Sequence, residues 1–220
     1  GDTFVAIKGN TVDGHDYIES AIKKGATKIV ATHGNYDVET IIVEDTEKYL
    51  NDYLVENVSS KFNDIKFVGI TGTNGKTTTA YLTSQILTEL GINNAYIGTI
   101  GFYYGNVKKE LNNTTPDIDT IYKLLLEAHD NNCEYVVMEV SSHALSLNRI
   151  YGLQFDAVGF TNLTQDHLDF HKTIDEYMKA KQKLFTLTRN CKVAVINGDD
   201  PNYQNFVKEG NNNIIISEKK

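Results

Sequence analysis

Lys66-Phe67-Val68-Gly69-Ile70-Thr71-Gly72-Thr73-Asn74-Gly75-Lys76-Thr77-Thr78 is the stretch that decides the fold of this chain. Its first six residues are mostly apolar and β-favouring, which predicts a strand. A glycine turn follows, and then a helix running through about Leu90. Strand, glycine turn, Lys-Thr and helix is the context of a phosphate-binding loop. In such a loop the backbone N–H groups of the turn and of the helix N-terminus point at phosphate oxygens. Lys76 would neutralise β- and γ-phosphate charge, and Thr77 would set its hydroxyl on Mg²⁺. The spacing is a variant: the usual pattern requires glycine at position 70, which is Ile70 here, and the loop's own first glycine is Gly72. The loop alone names a user of ATP or GTP. An Asn-Lys-x-Asp guanine-reading motif is absent from the sequence, which disfavours a GTPase.

Outward from the loop, strands and helices alternate. Strands are predicted at 95–97, 135–140, 155–160 and 192–196. Thr115-Pro116-Asp117 reads as a helix start with Thr115 as N-cap, and Ile121, Leu124, Leu125 and Ala128 share that helix's apolar face. Thr173 and Glu176 form a capping box opening a helix through Leu187. Pro201 also reads as the start of a helix. Before the loop, strands at 3–7, 28–31 and 40–43 alternate with a helix carrying Ile18, Ala21 and Ile22 and another carrying Tyr49, Leu50, Tyr53 and Leu54. The polar run 59–64 is the expected linker. The result is an α/β fold with a small N-terminal α/β domain over 1–62. A mostly parallel sheet with helices on both faces follows over 63–220.

The chain has 220 residues, 40% of them apolar, which suffices for packed cores. A net charge of −8 argues against a broad nucleic-acid surface. No apolar stretch approaches the ~20 residues of a membrane span. Cys133 and Cys191 lack metal-type spacing and read as buried free thiols. A cytoplasmic, reducing compartment and a monomer are expected, with no membrane or nucleic-acid partner.

The variant loop resembles that of the Mur ligases and folylpolyglutamate synthetases. Further segments narrow the resemblance to the MurE type of Mur ligase. They are Gly1-Asp2-Thr3-Phe4-Val5-Ala6 with Asp13-Gly14-His15, Asn113-Thr114-Thr115-Pro116, and Glu139-Val140-Ser141-Ser142-His143. Thr161-Asn162-Leu163, Asp166-His167-Leu168-Asp169, Tyr177 with Lys181, and Asn197-Gly198-Asp199-Asp200-Pro201 complete the set. The match runs through the whole chain in order. It implies ATP-driven addition of a diamino acid, meso-diaminopimelate or L-lysine, to UDP-MurNAc-L-Ala-D-Glu through an acyl phosphate. It also implies a fragment: a uridine-contacting segment would precede Gly1, and the rest of a three-domain enzyme would follow Lys220. The chain alone is therefore expected to be inactive.

Residue by residue, the resemblance implies that Gly72, Thr73, Asn74, Gly75, Lys76, Thr77 and Thr78 hold ATP. Glu139, at the end of an apolar strand where nucleotide-site metal ligands sit, would bind Mg²⁺ together with Thr77. A buried acid there needs a metal, a cation or a local lysine, since unpaired burial costs several kcal/mol. His167 would be a second metal ligand, and Lys181 a carbamylated lysine bridging to Mg²⁺. Taken on spacing alone, His167 reads as a loop histidine and Lys181 as a solvated helix lysine beside Lys179 and Lys183. Lys76, Lys181, His167 and Glu139 form the expected catalytic set. Asn113, Thr114, Thr115, Ser141 and Arg149 would contact the UDP-muramyl-dipeptide, and Asn10, Thr11 and Val12 its uracil and ribose. Leu147 stands where the family often has glutamine. His143 and His171 are assigned structural roles. Other readings are another Mur or folylpolyglutamate-type ligase, or a nucleotide- or UDP-sugar-binding module without turnover.

Overall fold

A computed structural model describes residues 1–9 and 12–218 of the chain. Asn10 and Thr11, expected at the uracil, lie outside the described residues, as does the thiol of Cys191. Among the described residues no helix is long and apolar enough to cross a membrane.

Two compact units are present, Gly1–Val58 and Ser59–Lys220. The first contains β1 (Asp2–Val5), α1 (Ile18–Lys23), β2 (Ala26–Ala31), β3 (Glu39–Ile42) and α2 (Thr46–Asn57). Its strands pair in parallel in the order β1-β2-β3. Ala6, Ile18, Ile29 and Ala31 form its buried centre, with Phe4, Ile22 and Val38 against them. In α2 the expected apolar face is only partly used: Tyr53 is exposed, while Thr46 and Asn51 are the buried positions. Thr46 is buried because its hydroxyl donates to Ala6 O at 2.8 Å, tying the helix to the end of β1.

The second unit begins earlier than the expected boundary at 62/63. The polar run 59–64 is not a free linker. Ser59–Phe62 forms a 3-10 turn that buries Phe62 edge-on against Phe67 and Tyr122. There follow β4 (Lys66–Thr71), α3 (Lys76–Glu89), β5 (Asn94–Gly98), β6 (Gly101–Tyr104), β7 (Val107–Lys109), α4 (Ile118–Asp130) and β8 (Tyr135–Glu139). The unit then continues through α5 (Ser142–Ser146), β9 (Phe155–Phe160), α6 (Leu168–His171), α7 (Ile174–Gln182), β10 (Thr188–Asn197) and β11 (Asn212–Ile216). The strand order is β11-β10-β9-β4-β8-β5-β6-β7; the β5–β6 and β6–β7 pairs are antiparallel and the others parallel. Side chains alternate along β4 as period 2 requires. Val68 and Ile70 pack with Ala80, Tyr81 and Leu87 of α3. Phe67 faces the other way, against Phe62 and Phe155. Helices thus cover both faces, with α4 joining through Tyr122. The expected face of α4 (Ile121, Leu124, Leu125, Ala128) is buried. Cys133 is a buried free thiol whose pKa desolvation raises to about 11.

Three expectations are corrected here. Thr115 is not the N-cap of α4. The helix starts at Ile118 with Asp117 at the cap, and Asp117 makes no side-chain cap bond because its carboxylate pairs with Arg149 Nε at 3.0 Å. The helix opened by Thr173 ends at Gln182 and tightens into a 3-10 turn over Lys183–Thr186. There Thr173 Oγ1 accepts from Glu176 N at 3.2 Å, while Thr173 N donates to His171 O at 2.7 Å, not to the box's acid. After Pro201 only a 3-10 turn forms, over Tyr203–Phe206.

The topology sets the site. β4 lies between β8 and β9, so the chain leaves β4 to one side and later returns on the other. Such a switch point opens a crevice beyond the carboxyl ends of the strands. Thr71, Glu139 and Phe160 end the three strands that border it.

Candidate nucleotide and substrate site

The loop between β4 and α3 is gripped by the segment leaving β9. Thr73 N donates to Asn162 O at 2.8 Å. Asn74 N donates to Asn162 Oδ1 at 2.9 Å, while Thr161 Oγ1 and Asn162 Nδ2 donate to Asn74 O at 2.6 and 3.1 Å. A Cβ on Gly72 would fall 1.8 Å from Thr161 Oγ1, so the close approach of the two segments requires glycine there. The β9 exit is itself anchored: Asn197 Nδ2 donates to Thr161 O at 2.7 Å, and Leu163 N donates to Asp200 Oδ2 at 2.7 Å. The roles of Thr161, Asn162, Asn197 and Asp200 as scaffolding were not legible in the sequence, because these contacts join segments far apart in the chain.

Gly75, with φ +81, is the N-cap of α3 and offers no capping side chain. The first-turn amides, at Lys76, Thr77 and the exposed Thr78, are thus left for an anion. Lys76 Nζ spans the loop, donating to Gly72 O at 3.0 Å and Thr73 O at 2.8 Å. Burial lowers its pKa, against the pull of Glu139 and Asp166.

Lys181 reaches the same carbonyl. Its Nζ donates to Gly72 O at 2.7 Å and lies 4.4 Å from the centre of the Tyr177 ring, and the side chain is 1% exposed. Tyr177 OH in turn donates to Thr73 Oγ1 at 3.2 Å. Desolvation first, and the nearby Lys76 second, depress the Lys181 pKa to about 7. The solvated-lysine reading therefore fails for Lys181. It holds for Lys179, which is exposed and pairs with Asp175 at 2.6 Å.

Glu139, fully buried at the end of β8, is surrounded by neutral donors, and among the described residues no lysine pairs with it. Tyr96 OH (2.5 Å) and Thr99 N (2.8 Å) donate to Oε1. Thr77 Oγ1 (2.8 Å) and Thr99 Oγ1 (3.3 Å) lie against Oε2. The carboxylate thus touches the hydroxyl expected at Mg²⁺.

A cleft of about 320 Å³ adjoins the loop, lined by Lys76, Asn113, Thr114, Ser141, Arg149 and His167 among others. Thr115 borders it too, but its hydroxyl is committed to structure: it donates to Glu139 O at 2.9 Å and accepts from Ser141 N at 3.1 Å. Thr114 Oγ1 lies 3.0 Å from Thr99 Oγ1, linking this loop to the Glu139 network. Ser141 caps α5 through Ala144 N. Arg149 holds Asp117 through Nε and Thr115 O through Nη1 at 2.9 Å. Leu147 contributes an apolar wall.

His167 is half-exposed, has φ +51 and lies 3.4 Å from Asp166 Oδ2 through Nε2. Its ring packs edge-on against His143 at 4.8 Å. His143 also lies on Phe170, and His171 Nε2 sits 2.9 Å from Ser142 Oγ. Burial lowers the pKa of both His143 and His171, with neighbouring imidazoles adding to it. Val12 is an exposed residue of the first unit. Among the described residues, no three His, Cys, Asp or Glu side chains gather as a metal site.

The sequence pattern of the Mur ligase middle domain matches residues 70–219, and that of the Mur ligase family catalytic domain matches residues 1–61. The chain is 45% identical over 212 residues to the UDP-N-acetylmuramoyl-L-alanyl-D-glutamate–2,6-diaminopimelate ligase of Clostridium perfringens, covering 95% of this chain and 43% of that protein. A solved structure of a ligase of the same name superimposes with TM-score 0.82 at 24% identity, over 100% of this chain and 46% of the other. The MurF ligase of Thermotoga maritima in complex with ADP gives TM-score 0.70 at 26% identity, over 100% and 48%. The chain spans less than half the length of each of these relatives. The two matched patterns, with the gripped phosphate loop and the carboxylate at the tip of β8, establish that the chain belongs to the Mur ligase family.

Proposed function

We propose that this chain is the UDP-substrate-binding and nucleotide-binding part of a cytoplasmic ATP-dependent amide ligase of peptidoglycan precursor synthesis. The enzyme adds a diamino acid to UDP-MurNAc-L-Ala-D-Glu. Residues 1–62 would bind the UDP end and residues 63–220 the ATP. The observation that carries the reading is the meeting of two lysine amines on one loop carbonyl, Gly72 O. That pair lies beside uncapped helix amides and next to a cleft lined by Thr114, Ser141 and Arg149. Bringing a substrate carboxylate up to a polyanionic phosphate tail requires positive potential, which Lys76 and the uncapped amides of α3 would supply. The relatives' names support the substrate, and among the two diamino acids expected they name 2,6-diaminopimelate.

Mg²⁺ fits the residues present. Glu139 Oε2 and the Thr77 hydroxyl, 2.8 Å apart, are hard oxygen donors. The lack of a closed protein cage among the described residues suits a cation completed by phosphate oxygens and water. Bound there, the metal would neutralise charge between the β- and γ-phosphates. Lys76 would exchange its two carbonyls for phosphate oxygens and hold the transferred group. The amides at the start of α3 would fix the β-phosphate. Lys181, with its pKa near 7, has a substantial unprotonated fraction at neutral pH. In that form its nitrogen can add to CO₂ with loss of one proton, giving the anionic carbamate expected for the family. His167, at the mouth of the cleft, would add a neutral imidazole. Arg149 would turn from Asp117 toward a substrate anion.

The test is ADP formation in a form of the protein extended to the relatives' full length. ADP release that requires both the UDP-dipeptide and diaminopimelate supports the reading. Release indifferent to both would sink it.

A further inference from the structure

Tyr96 lies outside the set of expected site residues, yet it makes the shortest contact to that set. It sits in β5, beside β8, and is fully buried. Its ring packs edge-on against Tyr81 of α3 at 5.8 Å and against Tyr103 of β6 at 5.9 Å. Its hydroxyl donates to Glu139 Oε1 at 2.5 Å, and Thr99 N donates to the same oxygen at 2.8 Å. Space is reserved for this pair: a Cβ on Gly98 would come within 2.1 Å of the Tyr96 hydroxyl and 2.2 Å of Glu139 Oε1. The other oxygen, Oε2, faces Thr77 in the first turn of α3. The two oxygens of one carboxylate are thus given different neighbours, one inward and one toward the phosphate loop.

We propose that Tyr96 is a positioning residue: with Thr99 N it engages Oε1 of Glu139 and fixes the carboxylate so that Oε2 is presented beside Thr77 to the nucleotide-bound cation. This rests on the nucleotide and Mg²⁺ reading above. Groups that orient a metal ligand from behind carry much of a site's affinity, with losses of ~10–100-fold on removal. Tyr96→Phe keeps the ring among Tyr81 and Tyr103 and deletes only the hydroxyl.

Calorimetric ADP affinity, measured with Mg²⁺ and with a chelator, tests the proposal in the wild-type chain, Tyr96→Phe, Glu139→Gln and the double variant. The gain in affinity due to Mg²⁺ should fall about tenfold in Tyr96→Phe, with metal-free affinity unchanged. The second substitution should add nothing to Glu139→Gln, since Tyr96 acts through that carboxylate. A wild-type Mg²⁺ gain that Tyr96→Phe retains, or additive effects in the double variant, overturns the clamp alone. No Mg²⁺ gain in the wild type overturns it together with the reading it rests on. Should Tyr96→Phe fail to fold, a crystal structure of the wild type with ADP and Mg²⁺ decides. Oε1 still bonded to Tyr96, with the metal nearest Oε2, supports the clamp; a metal on Oε1 overturns it.

Discussion

The β8 side and the α7 side of the phosphate loop each bury one ionisable group, and they treat it in opposite ways. Glu139 is 0% exposed and Lys181 is 1% exposed. The carboxylate is met by Tyr96, Thr77 and both donors of Thr99. The amine has one carbonyl, an aromatic face and a second lysine on that same carbonyl. A buried charge that is fully hydrogen-bonded is a prepared ligand. A buried amine with sparse partners sheds its proton and becomes a nucleophile. The difference teaches that burial alone assigns no role; the donors and acceptors around the group do.

The strongest way to break this comparison is to remove the residue common to both sides. Lys76→Ala should weaken nucleotide binding about a hundredfold, the loss of charge-assisted bonds to phosphate. Equilibrium binding measures it, and unchanged affinity would remove the loop assignment.

Lys181 gives the next largest effect, and it separates function from stability. In the extended enzyme Lys181→Ala should lose activity and regain part of it with added short carboxylic acids. Lys181→Met should instead raise stability at pH 7 by ~1–4 kcal/mol, since an apolar side chain carries no desolvation penalty. The sign with pH is fixed by the lowered pKa. Between about pH 7 and 10.5 the unfolded chain binds a proton at Lys181 that the folded chain does not. Wild-type stability from this group is therefore lowest below pH 7 and rises toward pH 10.5. Denaturation across that window should show this slope in the wild type and its loss in Lys181→Met; equal slopes would contradict the shift.

Much of this was readable beforehand. The strand–loop–helix at 66–90 and the apolar face of α4 follow from periodicity and turn chemistry. What sequence reading missed depended on partners remote in the chain. Thr115 looks like an N-cap because Thr-Pro-Asp commonly starts a helix, yet Glu139 O and Ser141 N claim its hydroxyl. Tyr96 looks like a strand aromatic, and only the β5–β8 pairing brings it to Glu139. The hairpin β6–β7 has its sequence signal in Phe102-Tyr103-Tyr104 followed by the turn pair Gly105-Asn106. Spacing cannot tell Lys181 from Lys179, because burial belongs to the packing of α7 and not to its sequence.

Smaller perturbations sharpen the contrast. Thr115→Val leaves Glu139 O and Ser141 N without their partner and should cost about 1–3 kcal/mol, read by denaturant unfolding. A neutral result would mean that the link carries no load. Lys179→Ala, two residues from Lys181, removes only an exposed pair with Asp175 and should leave Tm and nucleotide affinity unchanged.

The most direct test is a diffraction map from crystals of this chain grown with ADP and Mg²⁺. The account predicts the β-phosphate against the first-turn amides of 76–78, with Lys76 Nζ moved off Gly72 O and Thr73 O onto it and metal density between Thr77 Oγ1 and Glu139 Oε2. Nucleotide density away from this loop, with Lys76 still bound to its two carbonyls, would contradict it.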